Sequence, residues 1–367
     1  MQPEAIFVKP SRNNIDDVDT LTMERARSNQ ENGVETVIIP DTNVLINMEN
    51  VSGMPLSVDS LKKKGVYNIL SFMDKCTRNS IGLWWCPYFA ISEMPGFSAV
   101  QSIKKIELFE KRGFMQWSYE ENNIGNINSL QKDNSFPCME IEEKEVMALS
   151  FSSLLLMIII ERDFKNSSPY EKMLCYINMI EHKVGLISAR EYVIAAIIFS
   201  CESKTDKEFN ALRKDVKNNF SSWGKMKNGT DIEKIVKCAS NGARDIHMLD
   251  ACNILDSNKS EPRDVWLATA DFKMVNFMNN FHHVAGYGGA GQTIAMTDFS
   301  KGNQFMGDAL AEYKLRTTIR HGVIKYPPDR NYLVRIAYEM IDLVVGGINK
   351  EKIPQYGIIK IPSLLRV

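Results

Sequence analysis

The sequence predicts an α/β fold in which a mostly parallel sheet is flanked by helices. Short apolar runs rich in β-branched residues, which are typical of buried strands, alternate with longer segments of helical periodicity. Their order (strand, helix, strand, helix, helical insertion, helix, strand, helix) is the order that builds parallel sheets. With 367 residues, 44% of them apolar and 24% charged, the chain has ordinary globular composition and room for about two domains.

The first half of the sheet is predicted from two short apolar runs. Val37–Ile39 reads as a buried strand that ends at Pro40, and a helical segment follows from Val44. Ile81–Cys86 reads as the second strand, and the proline at 87 is well placed as the first residue of the next helix. Residues 1–34 are polar, and they could form one exposed helix over about 14–29 or a mobile arm.

The second half of the chain is mainly helical before the sheet resumes. Predicted helices before the sheet cover 139–163, 168–183, 188–201, 206–219, 230–240 and 245–255. The strand Val265–Ala268, the helix Asp271–Asn279 and a further strand Phe281–Val284 come next. The glycine-rich 285–292 reads as a flexible loop, and the tail as helices 303–316 and 331–345 with extended Tyr356–Ile361.

These elements predict a core in two parts with additions. A polar arm (1–34) precedes the first part of the core (35–113), and a mainly helical insertion (114–240) separates it from the second part (241–285). A C-terminal extension of helices and extended chain (286–367) completes the prediction.

Composition excludes several classes of function. With 44 basic and 45 acidic residues, the net charge of -1 argues against nucleic-acid binding by overall charge, although a local basic groove stays open. The seven cysteines form no CxxC pair, which disfavours a disulfide framework or a zinc site and favours a reducing compartment. No apolar N-terminal segment suggests a secretory signal, and the apolar run ending at Ile160 is shorter than the ~20 residues of a membrane helix. We therefore expect a cytoplasmic protein that binds no membrane.

Four acidic residues stand where the predicted topology can bring them together. Asp41 and Asp271 each follow a strand of the predicted parallel sheet, so both fall at the carboxyl edge, where ligand groups collect. Glu93 lies on the helix after the second strand, and Asp250 on the helix that leads into the strand before Asp271. Clustered carboxylates repel one another, and a divalent cation removes that cost. Oxygen ligands suit Mg²⁺ or Mn²⁺, ions that can activate water against a phosphodiester.

Four segments resemble the motifs of PIN-domain nucleases. They are Val37–Ile46 (VIIPDTNVLI), Pro87–Glu93, Leu249–Cys252 and Trp266–Phe272, whose Thr269 and Asp271 match the family's T-x-D. The resemblance implies a PIN-like core and a metal-dependent nuclease, with an endoribonuclease acting on RNA favoured over DNA. It also implies that Asp41, Glu93, Asp250 and Asp271 bind the metal and that Asn43 and Thr269 support them. The chain departs from compact members in its long insertion and in the extension beyond residue 285.

Each candidate residue also has a simpler interpretation. Asp41 and Asp271 could only cap the helices that follow them, because aspartate is a favoured N-cap. Glu93 could be an exposed helical glutamate, whereas a buried carboxylate at Asp250 would need a partner. Asp245 could be a helix cap or an outer member of the acidic cluster.

The function also has alternatives at the level of the whole protein. One is a catalytically silent PIN-like module that binds nucleic acid or a protein. Another is a nuclease gated by a partner in a toxin or antiviral defence system, and the insertion leaves room for a homo-oligomer or a regulatory partner. Basic clusters such as Lys62–Lys64 usually only solvate a surface, but in a nuclease they could hold the phosphate backbone.

Overall fold

The chain is a mixed α/β protein, mostly helical, that divides into two compact units. The computed structural model describes residues 2–12, 20–52, 57–94, 116–117, 135–222, 232–256, 258, 260–284, 294–297, 299, 303–323 and 329–348. Unit 1 comprises residues 1–134 and 248–296, and unit 2 comprises residues 135–247 and 297–367. The predicted insertion and extension therefore contribute most of unit 2. The glycine-rich 285–292 and the predicted extended segment Tyr356–Ile361 lie outside the described residues.

Two sheets lie in unit 1. The strands are β1 (Ile6–Val8), β2 (Ser11–Arg12), β3 (Glu35–Pro40), β4 (Trp84–Trp85), β5 (Gln116–Trp117), β6 (Arg263–Thr269), β7 (Phe281–Val284) and β8 (Ile294–Met296). The larger sheet has the order β1-β6-β3-β4-β5. Its pairings β6-β3, β3-β4 and β4-β5 are parallel, whereas β1 runs antiparallel to β6. In the smaller sheet β7 pairs parallel with β2 and antiparallel with β8.

The described helices are distributed over both units. They are α1 (Met23–Glu31), α2 (Thr42–Ser52), α3 (Val58–Lys63), α4 (Tyr67–Arg78), α5 (Tyr88–Ser92), α6 (Ile141–Asp163), α7 (Pro169–Lys183), α8 (Ala189–Phe199), α9 (Lys207–Phe220), α10 (Ile232–Asp256), α11 (Phe272–Asn280), α12 (Gln304–Val323) and α13 (Arg330–Gly346). Within the described part of the chain, no helix has the length and apolar character needed to cross a membrane.

The centre of the larger sheet is the buried pair β3 and β6. Residues 37–40 of β3 and 264–269 of β6 are all buried, as expected for parallel strands covered on both faces. Their register aligns Ile39 with Leu267 and Pro40 with Ala268. Both strands therefore end at the same edge of the sheet, as the sequence predicted.

The N-terminal segment is part of the core of unit 1, where the sequence predicted a polar arm. Strand β1 pairs with β6 along Ile6 to Val8, and α1 is shorter than the predicted helix over 14–29. Lys9 is only 6% exposed because its ammonium group binds the carboxylates of Asp256 and Asp264. The polar residues of this segment were misleading because their partners lie more than 200 residues away in the sequence.

Unit 2 is helical, and its central helix α6 carries a continuous buried run over residues 150–160. Within this unit Arg316 is almost fully buried, where it binds Glu181 and Glu312. Ser188 and Glu191 have the spacing of a capping box, but no side-chain cap forms at Ser188, and Glu191 accepts hydrogen bonds from the hydroxyls of Ser150 and Ser188. The helices predicted over 230–240 and 245–255 are one continuous helix, α10.

Candidate active site

Asp41 lies at the carboxyl edge of the larger sheet, at the junction between β3 and α2. Its backbone N–H donates to the carbonyl of Ala268, the residue paired with Pro40, at 2.9 Å. The side chain is 8% exposed, and its Oδ1 accepts a hydrogen bond from the Val44 backbone N–H at 2.7 Å. Asp41 therefore caps the first turn of α2 with one carboxylate oxygen.

The second oxygen of Asp41 faces the end of β6. Oδ2 accepts hydrogen bonds from the Thr269 hydroxyl and from the Ala270 backbone N–H, the latter at 3.2 Å. The Thr269 hydroxyl in turn accepts from the Asp271 backbone N–H at 2.9 Å. A buried hydroxyl group thus connects the two strand ends and fixes the orientation of the Asp41 carboxylate.

Burial raises the pKa of Asp41 above its usual value, and the negative charge of Asp271 adds to the increase. The hydrogen bonds from Thr269, Val44 and Ala270 oppose this increase because they stabilise the ionised carboxylate. The Thr269 hydroxyl contacts both the Asp41 carboxylate and the Asp271 backbone, so the two acids predicted from opposite ends of the core lie near each other.

Asp271 is the N-cap of α11. Its Oδ1 accepts from the backbone N–H groups of Lys273 at 2.9 Å and Met274 at 3.3 Å. The capping interpretation of Asp271 is therefore confirmed, as it is for Asp41. The cap at Asp271 uses Oδ1, whereas both carboxylate oxygens of Asp41 accept hydrogen bonds.

Glu93 is the C-cap of α5, and its side chain reaches the beginning of α2. The Thr42 hydroxyl donates to Glu93 Oε2, and Thr42 directly follows Asp41 in the chain. The side chain of Glu93 is thus tied to the residue next to Asp41, across 51 positions of sequence.

The remaining predicted residues lie in different surroundings. Asp250 is half-buried on α10 in the part of that helix that belongs to unit 1, and Asn43 is exposed on α2. Asp245 belongs to unit 2, where its Oδ2 accepts from the Asn219 side-chain amide at 3.4 Å. The prediction of Asp245 as a helix cap is wrong, because α10 continues through it.

The four acids do not form a closed metal site in the described structure. Across the described residues, no three histidine, cysteine, aspartate or glutamate side chains form a group that could hold a metal ion. The structure links Asp41 to Asp271 through the Thr269 hydroxyl and ties Glu93 to Thr42. The convergence of all four acids on a cation stays a prediction.

A cleft with a mixed polar and apolar lining adjoins these residues in unit 1. Its volume is about 610 Å³, and it is lined by Gln2, Pro3, Asn43, Ile46, Asn47, Asn50, Lys64, Ala270, Asp271, Phe272 and Lys273. The cleft shares Ala270 and Asp271 with the network around Asp41. It is therefore continuous with the candidate active site.

Sequence reasoning identified Thr269 and Glu93 but missed Thr42 and most of the residues that line the cleft. Thr42 was overlooked although it is part of the first motif, and its pairing with Glu93 could not be deduced from spacing. The asparagines that line the cleft carry a detectable signal: positions 43, 47 and 50 follow the i, i+4, i+7 spacing of one helix face.

No protein-family model, curated protein or solved structure matches this chain. What its residues can do must therefore be inferred from their geometry and chemistry.

Proposed function

We propose that this chain is a metal-dependent nuclease of the PIN type that hydrolyses phosphodiester bonds, with RNA favoured over DNA. The observation that supports the proposal best is the network at the carboxyl edge of the sheet. There Asp41 and Asp271 come together through the Thr269 hydroxyl, at the point where ligand groups collect in parallel sheets.

The residues fit a divalent cation. Asp41 is buried with a raised pKa, and the nearby charge of Asp271 makes its ionisation still less favourable. Such a pair is costly without a positive partner, and carboxylate oxygens are the ligands that Mg²⁺ and Mn²⁺ prefer. When bound, the ion supplies a water activated for attack on phosphorus and offsets the charge that develops on the leaving oxygen.

The protein groups have distinct roles in this proposal. Asp41 offers a carboxylate whose orientation is fixed by Thr269 and by the cap of α2. Asp271 offers a second carboxylate from the end of β6, held by the first turn of α11. Glu93 is held by Thr42 beside Asp41, and Asp250 completes the proposed set from α10. Fixed orientation matters because a ligand that is already in place loses little freedom when the ion binds.

The proposal is tested by cleavage of labelled RNA and DNA in the presence of Mg²⁺, Mn²⁺ or EDTA. We expect metal-dependent cutting that falls by roughly a hundredfold or more in the Asp41→Asn variant. The asparagine carbonyl oxygen can still accept from Val44, but its amide nitrogen cannot accept from the Ala270 N–H, so circular dichroism checks that the fold is retained. Asp59→Asn is the matched control, since Asp59 is an exposed aspartate in the first turn of α3.

Two outcomes would contradict the proposal. If Asp41→Asn cuts as well as wild type, Asp41 is not part of the catalytic site. Absence of cutting by folded wild-type protein on every polymer and metal would favour the silent binding module, and cutting that appears only with an added protein would favour the partner-gated nuclease.

A further inference from the structure

The cleft next to Asp271 offers space for one part of a substrate. Its volume of about 610 Å³ lies within the ~300–1,000 Å³ typical of pockets that bind small organic groups. Ala270 connects it to the active-site network, because the Ala270 N–H donates to Asp41 Oδ2 at 3.2 Å. A group bound in the cleft would therefore lie beside a phosphate positioned by the ion that Asp41 and Asp271 are proposed to hold.

One wall of the cleft carries an exposed aromatic ring. Phe272 directly follows Asp271, and 49% of it is exposed. An exposed aromatic ring that lines a cleft suits an unpaired nucleobase, because every base has a flat face that can stack on a ring. A paired base in a duplex does not offer that face, since its neighbours cover it.

Another part of the lining is a row of amides on α2. Asn43, Asn47 and Asn50 all line the cleft, and their spacing places them on one face of the helix. Each amide can both donate and accept a hydrogen bond, which matches the mixed donors and acceptors on the edges of bases. This part of the lining can therefore discriminate among bases that stack equally well on a ring.

Two cations complete the lining. Lys64 ends the basic run Lys62–Lys64, and Lys273 follows Phe272 at the start of α11. Among the described lining residues these two positive charges face one negative charge, that of Asp271. The cleft thus has cations for a phosphate in addition to its ring and its amides.

We propose that this cleft is a base-recognition subsite, which deepens the proposed nuclease function and rests on it. It takes the unpaired base of the nucleotide next to the cleaved phosphate. Phe272 stacks on the base, Asn47 and its neighbours on α2 bind the base edge, and Lys64 and Lys273 bind the flanking phosphate. The protein therefore prefers particular bases beside the cut.

The stacking contact is tested by fluorescence anisotropy with labelled single-stranded homopolymer 12-mers in Mg²⁺. Binding is measured on the Asp41→Asn background, so that no strand is cut. We expect Phe272→Leu to weaken binding roughly fivefold to a hundredfold, the range for loss of one base–aromatic stack. Phe272→Tyr keeps the ring and should keep the affinity. Equal affinities for the leucine and tyrosine variants would overturn the stacking contact.

The phosphate contact has a matched control within the run of lysines Lys62–Lys64. Lys64→Met should weaken binding by several-fold more than Lys62→Met, because Lys64 lines the cleft, whereas Lys62 lies over the Tyr67 ring at 5.2 Å. Both variants lose one positive charge, so general electrostatic attraction predicts the same decrease in binding affinity for both. Equal losses would contradict a phosphate site at Lys64.

Base preference is tested by the sequences of the cut sites. Wild-type protein should cut a mixed-sequence strand beside preferred bases, and Asn47→Ala should change that preference while cutting continues. An unchanged preference in Asn47→Ala and in Phe272→Leu would overturn the subsite and leave the nuclease standing. Failure of wild-type protein both to bind and to cut any strand would remove the subsite and the proposed function together.

Discussion

Replacing Lys9 by methionine should destabilise unit 1 by about 3 kcal/mol at neutral pH. Lys9 is 6% exposed, and its ammonium group lies between Asp256 and Asp264, whose side chains are 8% and 6% exposed. Breaking a buried ion pair from one side costs about 3–5 kcal/mol, because the other charge stays buried without compensation. Methionine fills a similar volume, so the loss reports charge rather than a cavity.

We expect a loss of stability at the lower end of the range of about 3–5 kcal/mol, because Asp264 keeps its contacts with Arg25 in the variant. Burial alone would raise the pKa of Asp264, but hydrogen bonds and charge from Arg25 and Lys9 outweigh it and hold the pKa well below its usual value. Arg25 remains in the variant, with its Nε 2.8 Å and its Nη2 3.0 Å from the Asp264 carboxylate. Asp256 loses more electrostatic stabilisation than Asp264. Lys9 is its ion-pair partner in the described structure, and its remaining donor, the Val265 N–H, is neutral.

The stability difference between Lys9→Met and wild type should change with pH in one direction. Burial raises the pKa of Asp256 although Lys9 opposes the increase, and removing Lys9 raises the pKa further. A carboxyl whose folded pKa exceeds its unfolded value destabilises the fold when it is ionised, and this cost disappears below the unfolded pKa of about 4. The difference between Lys9→Met and wild type should therefore shrink as the pH falls from 7 towards 4.

Urea unfolding followed by tryptophan fluorescence measures the effect. Four of the five tryptophans belong to unit 1, namely Trp84, Trp85, Trp117 and Trp266, so the signal reports mainly on that unit. The double variant Lys9→Met with Asp256→Asn should be more stable than the single variant, because the stranded charge is gone. If Lys9→Met lowers the free energy of unfolding by less than about 1 kcal/mol at pH 7, or if the decrease becomes larger in acid, the reasoning is refuted.

Further predictions concern the site and two glycines. Thr269→Val removes the hydroxyl that lowers the pKa of Asp41, so the acidic limb of the pH–rate profile for metal-dependent cutting should move to higher pH. Gly65→Ala should cost at least about 2 kcal/mol in urea unfolding, because φ is +68° and the new Cβ would lie 2.1 Å from the Pro3 carbonyl oxygen. Gly242→Ala should cost less than about 1 kcal/mol in unfolding followed by circular dichroism, because its Cβ would come closest to the end of the Leu154 side chain, at 2.8 Å, and alanine favours the α10 helix over glycine.

The sheet could be predicted from the sequence where a strand carries its own signal. β3 and β6 are apolar runs buried on both faces, and their carboxyl ends bear Asp41 and Asp271 as the parallel topology requires. The carboxyl-edge rule therefore placed these two acids correctly from sequence alone. β1 could not be predicted, because it is short and its stabilising partner is a strand more than 250 residues away.

Among the contacts around Asp41 and Asp271, some could be predicted from the sequence and others could not. The caps made by Asp41 and Asp271 are local and were foreseen as alternatives, because an N-cap depends on residues only a few positions away. The bond from Thr42 to Glu93 depends on how α5 packs beside α2, and spacing in the sequence carries no information about that. The burial of Lys9 was unpredictable for the same reason.

The position of β6 in the sheet constrains the order in which the protein can fold during synthesis. β6 lies between β1 and β3, yet the ribosome makes it after residues 135–247, which form the larger part of unit 2. Until residue 269 has emerged, β1 and β3 lack the strand that joins them, and their edges are open to other chains. Because such distant pairings form slowly, a nascent chain stalled before β6 should depend on chaperones.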